Sequence, residues 1–199
     1  MATYQRKDRY YHKAKEMGLP SRAAFKIEEI LSKFKLVKPG DVVLDLGAAP
    51  GGWTVQLAKA VGPKGLVLAM DLQPLIKVQG PSIHFYQGDF SGEAAARWLE
   101  ERLLGKKADG VFSDLSPKLT GIAFKDAYDS YQLAMSALAV AKKSLKPGGH
   151  FVTKIFPGEE FQQFHQTLRG CFEKVKSFEP VSSRKTSREV YLLGMGFRS

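Results

Sequence analysis

The chain has 199 residues, of which 44% are hydrophobic and 25% are charged, and its net charge is +10. This length and balance are typical of one globular domain with a sizeable core. No apolar run reaches the roughly 18 residues that a membrane-spanning helix needs, and the basic N-terminus lacks the apolar centre of a secretion signal. A single cysteine, Cys171, excludes an internal disulfide framework and a cysteine-rich zinc site. We therefore expect a cytoplasmic protein without membrane attachment.

The positive charge is concentrated at the start of the chain. Residues 1–38 contain ten Lys or Arg and four acids, and ten minus four gives +6 of the total +10. Clustered cations favour a polyanion, because binding releases counterions from its phosphates. Tyr4, Tyr10 and Tyr11 lie among these charges and could stack on unpaired bases. We expect residues 1–20 to be a mobile basic arm that contacts nucleic acid, with a solubilising tail as the alternative, and residues 21–199 to be a single domain.

The predicted elements alternate along the rest of the chain. A helix is predicted over residues 22–34 with Ser21 as its cap. Strands are predicted at 42–46, 66–70, 83–87, 108–113 and 150–155, and helices at 52–61, 94–104, 127–145 and 159–172. Two last strands, 174–178 and 190–197, have too little chain between them for a helical crossover. The pattern predicts a Rossmann-like α/β fold whose doubly wound, mostly parallel seven-stranded sheet ends in an antiparallel hairpin at one edge.

Ligands of such sheets bind beyond the carboxyl ends of the strands. Here those ends carry the segment Gly47–Gly52, then Asp71, Asp89, Asp114 and Lys154. The segment is not a dinucleotide fingerprint, because alanine occupies the position of the second glycine, and it is not a phosphate-binding P-loop, because no lysine follows it. A small, uncharged loop suits a cofactor that is poor in phosphate and carries its own positive charge. S-adenosylmethionine has these properties.

Acids at three successive strand ends suit the same cofactor. Asp45 could attract its positively charged part, and Asp71 could accept hydrogen bonds from its ribose hydroxyls. Asp89 could accept from the adenine amine, with the Phe90 ring beside the base. Any one of these acids alone could equally be a helix cap.

The residues also limit which chemical group could accept the methyl group. Methylation of a cytosine carbon needs a cysteine nucleophile, but Cys171 lies late in a predicted helix, where it is better explained as a small buried hydrophobe. Methylation of an adenine amine usually involves an Asn/Asp-Pro-Pro-aromatic turn, which residues 113–117 match only in part. The acid Asp114 and the amine Lys154 on adjacent strand ends instead suit an alcohol, which must lose a proton as it reacts.

The sequence resembles the FtsJ/RrmJ family of ribosomal RNA 2'-O-ribose methyltransferases. The resemblance implies the S-adenosylmethionine-dependent methyltransferase fold and a catalytic tetrad of Lys26, Asp114, Lys154 and Glu189. Lys154 would deprotonate or orient the ribose 2'-hydroxyl, and the other three residues would hold it. The stretches that carry the resemblance span nearly the whole chain: SRAAFKIEEI (21–30), LDLGAAPGGW (44–53), GDF (88–90), SDLSP (113–117), LKPGGHFVTKIF (145–156) and SSRKTSREVYLL (182–193).

The same resemblance implies a cofactor site and a substrate. No metal is expected in the reaction. The substrate would be a uridine in large-subunit ribosomal RNA within the ribosomal particle, not DNA, with Arg184, Lys185 and Arg188 helping to hold the RNA and the enzyme acting as a monomer. The cofactor residues would be Asp45, Gly47, Pro50, Gly51, Gly52, Trp53, Asp71, Leu72, Asp89, Phe90 and Asp114.

One segment departs from the family pattern. Residues 113–121 read SDLSPKLTG where family members often have Met-Ala-Pro-Asn, and this segment would border the target nucleotide. The substrate is therefore less firmly implied than the reaction. A transfer RNA ribose methyltransferase, an inactive RNA-binding protein of the same fold and a small-molecule methyltransferase remain as alternatives, although the basic arm argues against the last.

Overall fold

The computed structural model describes residues 8–184 and 187–198. Tyr4, Arg6, Lys7 and Lys185, on which some of the expectations above rest, lie outside these ranges. No helix within the described ranges is long and apolar enough to cross a membrane.

The fold is the seven-stranded α/β sheet that the sequence predicts. The strand order is β3-β2-β1-β4-β5-β7-β6. Neighbours from β3 to β5 run parallel, and β7 runs antiparallel to both β5 and β6. The strands are β1 (Val42–Leu46), β2 (Leu66–Asp71), β3 (Ile83–Gln87), β4 (Ala108–Ser113), β5 (Leu145–Ile155), β6 (Phe172–Phe178) and β7 (Val190–Phe197), and the helices are α1 (Arg9–Glu16), α2 (Ala24–Phe34), α3 (Gly52–Val61), α4 (Glu93–Leu103), α5 (Ala123–Ser144) and α6 (Phe161–Cys171).

Helices cover both faces of the sheet, which explains the continuous apolar runs of its central strands. Leu44 and Leu46 of β1 point to the core shared with α4, α5 and α6. Val43, between them, points to the core shared with α2 and α3. Because side chains alternate along a strand, Asp45 is directed to the α2 and α3 side as well, where Thr54 of α3 contacts it.

Two predictions about the start of the chain are corrected. The described part of the segment predicted as a mobile arm contains a helix, α1, which begins after Asp8 and packs on α2 through Tyr10 and Phe25, with ring centroids 5.5 Å apart. The cap predicted at Ser21 is wrong, because α2 begins at Ala24 after a residue that makes no side-chain cap. The Ser21 side chain instead lies against Gly52 at the start of α3.

The long helix before β5 begins earlier than its apolar periodicity predicts. α5 starts at Ala123, four residues before the predicted start. Asp126 in its first turn accepts hydrogen bonds from the backbone N–H groups of Thr120, at 2.7 Å, and Gly121, at 3.2 Å. These bonds lower the pKa of Asp126, and they attach the atypical segment 113–121 to the start of the helix.

Candidate active site

Two of the four predicted catalytic residues come together because β4 and β5 are neighbours in the sheet. Asp114 directly follows β4, and Lys154 is the penultimate residue of β5. The Lys154 Nζ lies 3.2 Å from Oδ1 of Asp114 and donates to the Asp114 backbone oxygen at 3.0 Å. Both side chains are mostly buried, with 6% and 14% of their surfaces exposed. The ammonium group is therefore held at a fixed place beyond the sheet.

The other two predicted residues form a second pair beside the first. Lys26 comes from the first turn of α2, and Glu189 directly precedes β7. The Lys26 Nζ lies 2.6 Å from Oε1 of Glu189, and these side chains are also mostly buried. Ser183 donates from its hydroxyl to the same Glu189 oxygen at 2.7 Å.

Tyr191, which the sequence argument did not select, joins the two pairs. It is the partner of Lys154 in the antiparallel register of β5 and β7. Its hydroxyl donates to Oδ1 of Asp114 at 2.7 Å, and the Lys26 Nζ lies 5.8 Å from its ring centroid. A signal was present in the sequence, since Glu189 and Tyr191 are two residues apart and so point to the same face of a strand.

The charges of the site hold Asp114 as a carboxylate. Burial opposes its ionisation, but Lys154, Lys26 and the hydrogen bond from Tyr191 more than offset burial, so the pKa of Asp114 lies below its ordinary value. Burial and the neighbouring carboxylates of Asp114 and Glu189 raise the pKa of Tyr191 well above its ordinary value. Tyr191 therefore stays a neutral hydrogen-bond donor at any ordinary pH.

A cavity of about 500 Å³ lies at the carboxyl ends of the strands and reaches Asp114. Of the residues expected to bind the cofactor, it is lined by Gly47, Asp71, Leu72, Asp89, Phe90 and Asp114. The cavity volume is in the range of ordinary cofactor sites. The cavity lining thus includes Asp114, which holds Lys154, together with two further acids, Asp71 and Asp89.

Those two acids are fixed by hydrogen bonds from neighbouring loops. Asp71 accepts from the Ala49 N–H at 2.9 Å and from the Gln73 N–H at 2.8 Å. Asp89 accepts from the N–H and the hydroxyl of Ser91, at 2.9 and 2.7 Å, and these bonds lower its pKa. Both acids are thus held in place, and each carboxylate oxygen can accept more than one hydrogen bond.

The remaining five predicted cofactor residues do not line this cavity: Asp45, Pro50, Gly51, Gly52 and Trp53. Asp45 is fully buried and accepts from the Thr54 hydroxyl at 2.6 Å, and burial raises its pKa to about 7. Trp53 packs on Tyr191, with centroids 5.6 Å apart. Oδ1 of Asp45 and Nε1 of Trp53 are buried without a hydrogen-bond partner among the described residues.

Backbone conformation and close packing within the chain explain the three glycines of the loop at residues 47–52. Gly47 and Gly51 have φ of 77° and 115°, which favour glycine. A Cβ on Gly51 would lie 2.2 Å from Val78, and a Cβ on Gly52 would lie 2.3 Å from the Ser21 hydroxyl. Small residues are therefore needed here for the loop itself to pack, whether or not a cofactor approaches it.

The cavity fits the adenosine part of S-adenosylmethionine. Asp71 and Asp89 offer acceptors for ribose hydroxyls and an adenine amine, and Phe90 offers a ring beside the base. Among the described residues, no cationic side chain lines the cavity, so they offer no counter-charge to a phosphate-rich cofactor. Together with the sheet order, these features define the class of S-adenosylmethionine-dependent methyltransferases.

Comparison with known proteins identifies the family within this class. The family model of FtsJ-like methyltransferases matches residues 19–197. The ribosomal RNA large subunit methyltransferase E of Chromobacterium violaceum is 43% identical over 191 residues, 96% of this chain and 92% of that protein. The protein of the same name from Desulfatibacillum aliphaticivorans is 44% identical over 188 residues, 94% of this chain and 89% of that protein. The chain belongs to the FtsJ-like methyltransferase family, so the family resemblance is confirmed.

Solved structures show the same fold. A Plasmodium falciparum protein assigned as a ribosomal RNA methyltransferase is 25% identical and superposes with a TM-score of 0.80, over 89% of this chain and 98% of that one. Fibrillarin from Aeropyrum pernix, solved with bound S-adenosylmethionine, is 19% identical and superposes with a TM-score of 0.58, over 86% of this chain and 76% of that one. The predicted fold class is therefore confirmed. The role of each site residue stays a prediction.

Proposed function

We propose that this protein transfers a methyl group from S-adenosylmethionine to the ribose 2'-hydroxyl of a nucleotide in large-subunit ribosomal RNA. The observation that carries the proposal is that the Lys154 ammonium is held by Asp114, and Asp114 lines a cavity that suits the methyl donor. The names of the relatives from Chromobacterium violaceum and Desulfatibacillum aliphaticivorans support the choice of RNA.

When bound, S-adenosylmethionine supplies a methyl group on a positively charged sulfur. The chain's own contribution is to place and orient the ribose oxygen. An ammonium group has three N–H donors, and two contacts of Lys154 go to the Asp114 carboxylate and backbone oxygens. A remaining donor direction can hold the 2'-oxygen. If Lys154 is to accept the hydroxyl proton, it must first lose one of its own.

The surface around the tetrad suits an RNA strand better than a small molecule. Next to the site, Arg188 borders two cavities near the start of α5. Phe124 and Tyr128 on α5 are 78% and 48% exposed, and exposed rings of this kind can stack on unpaired bases. α1, which packs on α2, carries the exposed cations Arg9, Lys13 and Lys15.

The finer features of this function remain predictions from the sequence. They are a uridine as the target, the assembled ribosomal particle as the substrate, a monomeric enzyme, and a cytoplasmic location. Arg188 lines a cavity together with Leu119 and Gly121 of the segment 113–121, which supports the expectation that these residues select the target nucleotide.

Transfer of a labelled methyl group tests the proposal. Purified protein is incubated with labelled S-adenosylmethionine and, separately, with large ribosomal subunits, free ribosomal RNA and transfer RNA from cells that lack the enzyme. The products are then hydrolysed in alkali. Because a 2'-O-methyl group blocks cleavage at its own linkage, label in an alkali-resistant dinucleotide reports ribose methylation, whereas label in mononucleotides reports base methylation. Transfer to ribose of transfer RNA alone would replace ribosomal RNA as the substrate, and label only on bases would overturn the proposal.

A further inference from the structure

The segment between β6 and β7 is attached to α2 by the Glu29 side chain. Oε2 of Glu29 accepts from the Val181 N–H at 2.7 Å, and Oε1 accepts from the Ser182 N–H at 3.0 Å. One carboxylate thus satisfies two successive backbone donors, and hydrogen bonds to an ionised group are stronger than neutral ones. These contacts join residues that are about 150 positions apart in the chain, so they are a tertiary contact and not a local turn.

Ser183, the next residue in the chain, connects this turn to the tetrad. The Ser183 N–H bonds to the Pro180 carbonyl at 2.9 Å, which closes a tight turn. From this turn the Ser183 hydroxyl donates to Oε1 of Glu189 at 2.7 Å. That oxygen is the one that Lys26 also contacts, at 2.6 Å. Ser183 therefore shares one carboxylate oxygen with a predicted catalytic lysine.

The contacts close a ring on one helix. Lys26 and Glu29 are three positions apart on α2 and so lie on one side of it. The ring runs from Lys26 to Glu189, through Ser183 to the turn at 181–182, and back to Glu29. A glutamate side chain with a single partner retains rotational freedom. The ring removes this freedom by giving Glu189 two partners, both fixed to the same helix.

We propose that Glu29 and Ser183 are positioning residues for the Lys26–Glu189 pair, which rests on the proposed function of the tetrad. Neither touches the cavity expected to hold the methyl donor. Glu29 holds the turn, the turn aims the Ser183 hydroxyl, and the hydroxyl fixes the Glu189 carboxylate beside Lys26. Their loss is expected to lower turnover and leave binding of S-adenosylmethionine unchanged.

Ser183→Ala and Ser183→Thr test the hydroxyl. Ser183→Ala is expected to lower kcat for methyl transfer about tenfold, the effect of losing one hydrogen bond to a charged group. Ser183→Thr keeps the hydroxyl and is expected to recover most of the activity. If Ser183 acts through Glu189, then Ser183→Ala added to Glu189→Ala lowers kcat no further than Glu189→Ala alone. Wild-type kcat in Ser183→Ala, or an equal loss in both backgrounds, would overturn the proposal.

Glu29→Gln tests the attachment, with Glu28→Gln as the matched control. Both variants lose one negative charge on neighbouring positions of α2, but Glu28 is exposed. Glu29→Gln is expected to lower kcat several-fold and leave the KM for S-adenosylmethionine unchanged, whereas Glu28→Gln behaves as wild type. Equal effects from the two variants would refute the role of Glu29.

Amide hydrogen exchange tests whether Glu29 holds the turn without any measurement of methyl transfer. The Val181 and Ser182 amides are expected to exchange faster in Glu29→Gln than in wild type or Glu28→Gln, while exchange in the β1 and β4 amides stays unchanged. If wild type transfers no methyl to any RNA, the proposed function fails, and the exchange rates still decide whether Glu29 holds the turn. Unchanged rates in Glu29→Gln would refute the attachment itself.

Discussion

Lys154 and Tyr191 face each other across β5 and β7, and both side chains contact the same oxygen of Asp114. The first contact is an ion pair at 3.2 Å, and the second is a hydrogen bond at 2.7 Å. Because the antiparallel pairing of β5 with β7 sets this arrangement, the reversal of the last strand contributes directly to the site. Asp114 is held by one group from each of two strands.

Tyr191→Phe is expected to weaken this arrangement without destroying it. The ring can still pack on Trp53, but Asp114 loses a donor. We expect the free energy of unfolding to fall by about 1.5–3 kcal/mol, the range for a hydrogen bond to a charged group. Methyl transfer should fall less than in Lys154→Ala, because Lys154 keeps its ion pair. Urea denaturation and initial rates check both statements, and turnover as low as in Lys154→Ala would show that Tyr191 has a larger role.

Two substitutions of Lys154 separate its possible roles. Lys154→Ala is expected to abolish methyl transfer and to leave affinity for S-adenosylmethionine within a few-fold. Lys154→Arg keeps a positive charge and N–H donors, but arginine does not deprotonate in proteins. If Lys154 accepts the hydroxyl proton, Lys154→Arg is as inactive as Lys154→Ala; if it only orients the oxygen, part of the activity remains. Wild-type rates in Lys154→Ala would remove this residue from the mechanism.

Much of the fold could be predicted because apolar runs and the turn or polar residues beside them mark the same element boundaries. The strands β1, β3, β4 and β7 have their predicted bounds, since each is a short apolar run ended by a turn or a polar residue. α1 was missed because most of its residues are charged or polar and only one of them, Ala14, is buried. Its stability depends on packing against α2, and such a contact cannot be inferred from a local pattern.

The candidate site was predictable only in part, for a related reason. Asp71, Asp114 and Lys154 follow from the rule that parallel strands present their carboxyl ends together. The pairing of Lys26 with Glu189 came from the family resemblance, because nothing local relates α2 to the segment before β7. Ser183 and Glu29 were not recognised, since their roles depend on how the irregular segment after β6 folds back on α2.

Reversing charge in the predicted arm is expected to weaken RNA binding and reduce its salt dependence. Substitution of Arg6, Lys7 and Arg9 by Glu removes cations that would release counterions from RNA, so the slope of log affinity against log salt should become shallower. The control variant carries the same substitution by Glu at Lys38, Lys59 and Lys64, which are exposed residues near the amino ends of the strands. Equal slopes for the arm variant and wild type would show that the arm only aids solubility.

Removing an exposed ring beside the tetrad is expected to weaken RNA binding and to leave cofactor binding unchanged. Phe124→Ala takes away a side chain that is 78% exposed and should raise the KM for RNA several-fold, since stacking on one base contributes about 1–3 kcal/mol. Leu104→Ala, which removes an equally exposed apolar side chain from the end of α4, serves as the control. An unchanged KM for RNA in Phe124→Ala would place the strand elsewhere on the surface.

Asp45 is expected to make the stability of the unliganded protein depend on pH. Burial raises its pKa from 3.8 to about 7, so between these values the folded state holds a proton that the unfolded state has released. Stability from this group is therefore complete below about pH 4 and is lost as pH rises to about 7, by about 1.4 kcal/mol per pH unit. Asp45→Asn keeps an acceptor for Thr54 and removes this titration. Urea denaturation from pH 4.5 to 8.5 should show the variant gaining stability relative to wild type up to about pH 7 and then no further, whereas a constant difference across the range would mean that Asp45 titrates normally.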